Sequence, residues 1–341
     1  MHAPGVEELM GNSLPKQLRL VSDRKLLKDL EARMVEVEAR IIAATTSADA
    51  LVTEMSSHLA KAGGKRMRPG LVLLTAQLGD PDAPEVVDAA VVMEVTHLAT
   101  LYHDDVMDQA STRRGVDTAH LVWGNNVAIL TGDLLFARAS NIVASLGQEA
   151  LTMQAQVFEQ LVLGQLNETI GPREGQDPLA HYLDVLRDKT GSLIALSARL
   201  GALLSGADAS YQQPLQAFGE RIGVAFQLVD DIIDIQSTTE QSGKVSGTDL
   251  LAGVPTLPVF LLENHKDKES VELLQLIKSG LSAQNLPEVL EKLRAHVVMD
   301  EAQTETQRWA DQAVAAISGL PAGSVKSALE AFAAAVVERQ G

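Results

Sequence analysis

Cysteine is absent from this 341-residue chain, which excludes disulfides, thiolate nucleophiles, zinc–thiolate sites and iron–sulfur clusters. Aromatic residues are scarce: two Trp, three Tyr and six Phe amount to 3% of the chain. Ala and Leu fill the core positions instead, a composition that favours close-packed helices over sheet. Basic residues are outnumbered, 28 against 45 acidic, for a net charge of −17. That field repels nucleic acid and anionic lipid, so an anionic ligand needs a local cluster of cations or metal ions. No N-terminal stretch reads as a secretory signal, and no apolar run reaches the roughly 18 residues of a membrane span. The chain is expected to be soluble and cytoplasmic, with neither nucleic acid nor membrane as a partner.

Period-two alternation is missing too, so no strand is expected and the fold class is all-α. Pro4, Gly5, Gly11 and Pro15 leave residues 1–20 without periodicity, a loosely ordered tail before one domain over 21–341. Apolar spacing predicts one or two helices between Asp23 and Leu59, then a break at Gly63-Gly64 and a turn at 80–84. A long helix is predicted from Pro84 through Asp108. Others follow at 126–147, 150–170, 178–205, 211–238, 256–264, 268–279, 286–315 and 322–338.

What the chain has is a duplicated acidic run: Asp104-Asp105-Val106-Met107-Asp108 and Asp230-Asp231-Ile232-Ile233-Asp234. On a helix the first and last Asp of each lie about 6 Å apart along the axis, on one face. At an effective dielectric of about 20 two such charges repel by roughly 3 kcal/mol, so each pair calls for a compensating cation. Carboxylates suit Mg2+, which keeps several waters and takes other ligands from substrate phosphates. The expectation is a magnesium-diphosphate site clamped between two helices. Glu94, His97, Leu101, Asp104 and Asp108 share one stripe of the first helix. On the second, Gly223, Gln227, Asp230, Asp231 and Asp234 do the same. Cations accompany the acids: Gly63-Gly64-Lys65-Arg66-Met67-Arg68-Pro69, Arg113-Arg114-Gly115, Lys189-Thr190-Gly191 and Gly243-Lys244. Cations beside flexible glycines make phosphate cradles, and several of them suggest a substrate with several phosphates.

Taken together, these motifs resemble the trans-isoprenyl diphosphate synthase (polyprenyl synthetase) family, over residues from Gly63 to about Pro258. The resemblance includes Trp123-Gly124-Asn125, Gly132-Asp133, Phe226-Gln227 and Asp249. It implies a single all-α bundle around a deep central cavity, in a homodimer. It implies that Asp104, Asp108 and Asp230 ligate Mg2+, three ions per active site, with Asp105 and Asp234 as direct or water-mediated helpers. Asp231 and Lys189 complete the catalytic set. Arg113, Lys189, Thr190, Gln227 and Lys244 would hold an allylic diphosphate, and Lys65, Arg68, His97 and Arg114 that of isopentenyl diphosphate. The implied reaction ionises the allylic C–O bond, couples the cation to the terminal alkene of isopentenyl diphosphate, and lengthens a trans-prenyl chain by five carbons. No protein nucleophile or strong base is evident, so the released diphosphate is expected to take the proton.

In the family, positions four and five before the first Asp floor the growing chain, and bulky aromatics there stop growth. Here they are Thr100 and Ala99, with Thr96 a turn below, and only two residues separate the acidic pair from Asp108. The expected product is C30–C50, against a shorter farnesyl or geranylgeranyl alternative. A terpene cyclase is the nearest rival enzyme, disfavoured by the scarce aromatics and the all-aspartate second motif. Glu94-Val95-Thr96-His97 has the Glu-x-x-His form of di-iron bundles, but no second copy exists. A partner subunit without activity would have lost the acidic motifs; a catalytic subunit of a heteromer keeps them.

Overall fold

Aspartates start several of the helices. Asp23 accepts the backbone N–H groups of Lys25 and Leu26 at the head of α1 (Arg24–Ala44), and Asp49 does the same for α2 (Ala50–Lys61). Each such cap satisfies donors that a helix start leaves open and contributes about 1 kcal/mol. The computed structural model describes residues 14, 15, 18–20, 23–237 and 246–338. Lys244 and most of the expected tail lie outside them.

After α2 come α3 (Met67–Ala76), α4 (Pro84–Met107), a hairpin of β1 (Thr112–Arg113) and β2 (Val116–Asp117), α5 (Ala119–Trp123), α6 (Asn125–Ala144) and α7 (Gln148–Ile170). Then α8 (Pro178–Leu186) runs through a π-type turn, Arg187–Gly191, into α9 (Ser192–Leu204) and α10 (Gln212–Gln236). The rest is α11 (Thr248–Leu251), α12 (Leu257–Leu262), α13 (Lys268–Lys278), α14 (Leu286–Ala295), α15 (Val298–Ala316) and α16 (Ser324–Val337). The all-α expectation holds, the two-residue strands being the sole sheet among the described residues.

The chain divides into two compact units: Met1–Glu159 with Leu193–Gln216 and Gly319–Ala331, and Gln160–Ser192 with Ala217–Ser318 and Phe332–Gly341. In the first, α4 packs on α6, α3 and α1. From Val86 to Thr96 every residue but Asp88 is buried, so α4 is a core helix, apolar all round. Leu14 and Leu18 are buried here as well, with Leu18 and Pro15 against Gly70. Helix α9 crosses α3 where Gly201 meets it. A Cβ on Gly201 would lie 2.2 Å from both the Val72 carbonyl oxygen and Thr75 Oγ1. In the second unit Val224, Leu228, Ile232 and Ile235 of α10 recur at helical spacing and join Leu257, Val289, Leu293 and Met299 in one core.

Helix α6 is long and apolar enough for a membrane span, with a mean hydropathy of 1.4 over its window, although the sequence has no uninterrupted apolar run of that length. One face of it, Ala128, Thr131, Gly132, Leu135 and Ala139, is buried, and Asp133 and Arg138 lie within its length. These are the marks of a helix packed on other protein.

Several elements depart from expectation. Helices α3, α5 and α11 were not predicted. The predicted helix at 178–205 is interrupted by the π-type turn, and that at 286–315 breaks at His296 and Val297. Replacing Gly201 with Ala is expected to destabilise the fold by about 1–3 kcal/mol, read as a lower urea midpoint at unchanged slope, because the clash is with rigid backbone.

Candidate active site

Beyond Thr96, α4 opens on one side. His97, Thr100, Leu101 and Asp104 are half-buried and Asp108, at its C-terminal cap, is exposed, forming a stripe at spacings of three and four. Glu94, placed on that stripe from the sequence, is buried at 2% exposure. Asp105 faces the other way: it is fully buried and accepts the Arg113 Nε–H at 2.7 Å, while its Oδ2 has no hydrogen-bond partner. It anchors Arg113.

The hairpin explains the neighbouring arginine. Thr112 pairs with Asp117 and Arg113 with Val116, leaving Arg114-Gly115 as a two-residue turn with φ of 55° and 80°. Positive φ at both positions is what a type I′ turn needs, and Arg114 is costly there. Its side chain offsets that cost. The guanidinium donates to the carbonyls of Leu59 (3.0 Å) and Gly63 and reaches Glu94 at 3.4 Å. Gly64 makes room: a Cβ on it would lie 2.8 Å from Arg114 Cζ.

Glu94 also accepts from Arg66 at 2.7 Å, and Arg66 forks onto Glu38 at 2.6 and 3.0 Å. Burial opposes the Arg66 charge, but Glu94 and Glu38 outweigh it and push its pKa up. Arg68 is different. Burial, with Arg114 adding to it, brings its guanidinium down to about 10 against the pull of Glu94 and Asp104, and its Nε has no hydrogen-bond partner. His97 is held well below the usual imidazole range by burial and then by the charges of Arg68, Arg114, Arg113 and Arg66, so it is neutral at pH 7. Arg113, Arg114, Arg68 and His97 are thus gathered in one unit, with exposed Lys65 at the foot of α3. Arg66 was passed over in the sequence; nothing local says which cation of Lys65-Arg66-Met67-Arg68 turns inward.

Of the expected floor residues, Ala99 and Thr96 are buried and Thr100 is half-buried. Thr100 Oγ1 donates to the His97 carbonyl at 2.8 Å. The Ala99 carbonyl lies 3.2 Å from where a Gly132 Cβ would be, at the crossing of α4 and α6.

In the second unit the acidic motif ends α10. Asp230 is half-buried. Asp231 is buried and accepts the Tyr182 hydroxyl, while burial, with Asp249 and Asp230 nearby, pushes its carboxyl up to about 8. Asp234 accepts from Thr248 Oγ1 at 3.1 Å and the Asp249 N–H at 3.3 Å, tying α11 to α10. Arg294 closes the helix end by donating to the carbonyls of Ile235 and Ser237 at 2.7 and 2.8 Å. Lys189 and Thr190 lie in the π-type turn, a distortion frequent at functional sites, with Lys189 on Glu168 at 2.5 Å. Gln227 is half-buried on α10. Gly191 and Gly223 let the turn touch α10: a Cβ on Gly223 would lie 2.4 Å from Gly191 Cα.

Among the described residues no group of three or more Asp, Glu or His side chains is arranged to hold a metal ion. The donors nonetheless fit Mg2+. They are accessible carboxylates in ones and twos, and Mg2+ fills its remaining positions with water and phosphate oxygen.

The class defined is an all-helical protein with accessible aspartates on two helices and a guanidinium cluster beside one of them. The comparisons make it particular. The polyprenyl synthetase family model matches residues 49–293, and the chain belongs to that family. It is 42% identical to the nonaprenyl diphosphate synthase of Mycobacterium tuberculosis, over 92% of this chain and 94% of that one. It is 34% identical to heptaprenyl diphosphate synthase component 2 of Bacillus subtilis, over 90% and 88%. It superposes with a TM-score of 0.85 on geranylgeranyl pyrophosphate synthase from Corynebacterium glutamicum, solved with calcium and isoprenyl diphosphate, at 41% identity over 94% and 99%. The chain is a prenyltransferase of this family, condensing isopentenyl diphosphate with an allylic diphosphate.

Replacing Glu94 with Ala would leave Arg66 and Arg114 facing each other without the carboxylate between them. The expected loss is about 3–5 kcal/mol of stability in urea unfolding at pH 7, well beyond that of Glu36→Ala on the exposed face of α1.

Proposed function

We propose that this enzyme adds isopentenyl units repeatedly to an allylic diphosphate, giving a trans-polyprenyl diphosphate of C30–C50, as a cytoplasmic homodimer whose bundle is one functional domain around a deep cavity. The observation that carries the site assignment is the meeting of opposite chemistries on the open side of α4. Accessible Asp104 lies close enough to Arg68 to bear on its ionisation, with Arg114 and neutral His97 beside them. A diphosphate needs that juxtaposition.

In this reading Asp104, Asp108 and Asp230 ligate Mg2+, which when bound neutralises the departing diphosphate. Their exposure supports the assignment: Asp108 is exposed and Asp104 and Asp230 are half-buried. Arg68, Arg114 and Lys65 hold the diphosphate of isopentenyl diphosphate, and neutral His97 donates one N–H to it. Arg113, Lys189, Thr190, Gln227 and Lys244 hold the allylic diphosphate, Lys189 exchanging Glu168 for phosphate oxygen. Fixed cations stabilise the leaving group without reorganising, which is where most of the rate enhancement arises. The released diphosphate takes the proton.

The product length is supported by the names of the nonaprenyl and heptaprenyl relatives and by small residues below Asp104. Thr100 is the accessible one. With Mg2+, isopentenyl diphosphate and C5, C10, C15 or C20 primers supplied separately, products of C30–C50 are expected; failure to extend any primer refutes the reading. Thr100→Phe is expected to shorten the product by at least two isoprene units on sizing, and an unchanged length places the floor elsewhere.

The homodimer is supported by Leu121, Val122, Ile129 and Leu130 on α5 and α6, which are 57, 48, 41 and 65% exposed. Apolar side chains grouped this way mark an association surface. Leu130→Glu is expected to halve the mass measured by light scattering, and a wild-type monomer would refute the dimer.

A further inference from the structure

The π-type turn carrying Lys189 and Thr190 touches α10 at Gly191 and Gly223, where a Cβ on either glycine would strike the other segment's backbone. A second contact lies nine residues back along the chain. There the Tyr182 hydroxyl, on α8, donates to Asp231 Oδ2. Since 182 meets 231 and 191 meets 223, the two segments run antiparallel and are tied at points about 12 Å apart, eight residues at ~1.5 Å each.

The groups assigned to the allylic diphosphate sit within that frame. Lys189 and Thr190 precede Gly191 on one side. Gln227 and Asp230 lie between Gly223 and Asp231 on the other. The glycine contact is featureless: it fixes a separation and leaves rotation about the helix axis unspecified. The Tyr182–Asp231 bond fixes rotation. Successive residues of a helix point about 100° apart, so pinning Asp231 inward sets where Asp230 points. Tyr182 is itself held, its ring packed on Phe260 with centroids 5.2 Å apart at 43°. The Tyr182 hydroxyl remains protonated and donating, its pKa raised by burial and by Asp231.

We infer that Tyr182 is a positioning residue: its bond to Asp231 sets the rotation of α10, so that Asp230 and Gln227 present to the same metal-bound diphosphate as Lys189 and Thr190. The inference rests on the site assignment above and adds to it a residue that neither of the two acidic motifs contains.

The test measures binding in the full-length enzyme. Inorganic pyrophosphate is titrated calorimetrically in saturating Mg2+, and the Michaelis constants of both substrates are measured alongside. Tyr182→Phe keeps the ring on Phe260 and removes the bond. Its Kd for pyrophosphate and its KM for the allylic primer are expected to rise about tenfold, the effect of one displaced charge-assisted contact. The KM for isopentenyl diphosphate is expected to stay within about twofold, because its assigned groups lie in the other unit. Tyr182→His is the second arm. It keeps a ring on Phe260 and a ring N–H that can donate to Asp231, so at least a threefold recovery of the affinity lost in Tyr182→Phe is expected. An unchanged Kd in Tyr182→Phe, or equal weakening of both substrates, overturns the inference. So does a Tyr182→His enzyme as weak as Tyr182→Phe, and comparison of Tyr182→His with wild type decides the matter should Tyr182→Phe fail to fold. A wild-type enzyme that extends no primer refutes the proposed function instead.

Discussion

A carboxylate inside a helical core persists only where cations meet it, and Glu94 is that carboxylate. It sits at 2% exposure in the core helix α4 and takes Arg66 and Arg114 together, while Glu38 steadies Arg66 from α1. Arg68 is the third guanidinium of the group: Glu94 and Asp104 favour its charge, but burial disfavours it and its Nε lacks a partner. A cation held in that condition gains most from an arriving anion. His97, buried and then opposed by the same guanidiniums, gives up its proton.

The two acidic motifs match in sequence and differ in structure. In each, the middle aspartate turns inward to a partner, Arg113 for Asp105 and Tyr182 for Asp231. The partners then diverge in kind. An arginine meets a buried carboxylate with an opposite charge, whereas a tyrosine supplies one hydrogen bond, and burial still leaves Asp231 with a strongly raised pKa. The third aspartates diverge as well. Asp108 caps α4 at the surface, and Asp234 spends its carboxylate on the start of α11. A duplicated motif thus offers its unit a pair of accessible carboxylates in one case and Asp230 in the other.

Local signals carried far in this chain. Helical apolar spacing, Gly and Pro punctuation and the acidic motifs placed most helices and the α4 stripe. What was not legible depends on residues distant along the chain. Arg66 meets Glu38 and Glu94 across 28 residues each, and Tyr182 meets Asp231 across 49. No periodicity encodes such pairs. The π-type turn has no Gly or Pro ahead of Gly191, because a one-residue widening of a helix needs no breaker. The hairpin hid behind its charges: Arg113-Arg114-Gly115 reads as a cation cluster, yet its glycine also marks a tight turn, and strands of two residues are too short to alternate.

Aromatic scarcity bears on all of this. Bulky side chains ordinarily hold helices at about 8–10 Å and lock their rotation by interdigitation. Here glycine sets several of the close approaches: Gly201 on Val72, Gly191 on Gly223, and Gly132 on His103, where an added Cβ would lie 2.3 Å from the imidazole. Such contacts fix distance and say little about rotation. Rotation then falls to polar struts: His103 on the Ile129 carbonyl and Asp133, Arg113 on Asp105, Tyr182 on Asp231. Each strut lies in an acidic motif or immediately before it. Where a helix must present particular carboxylates to a ligand, a directional bond at the motif itself is the economical device. In an alanine- and leucine-rich core it is also the available one.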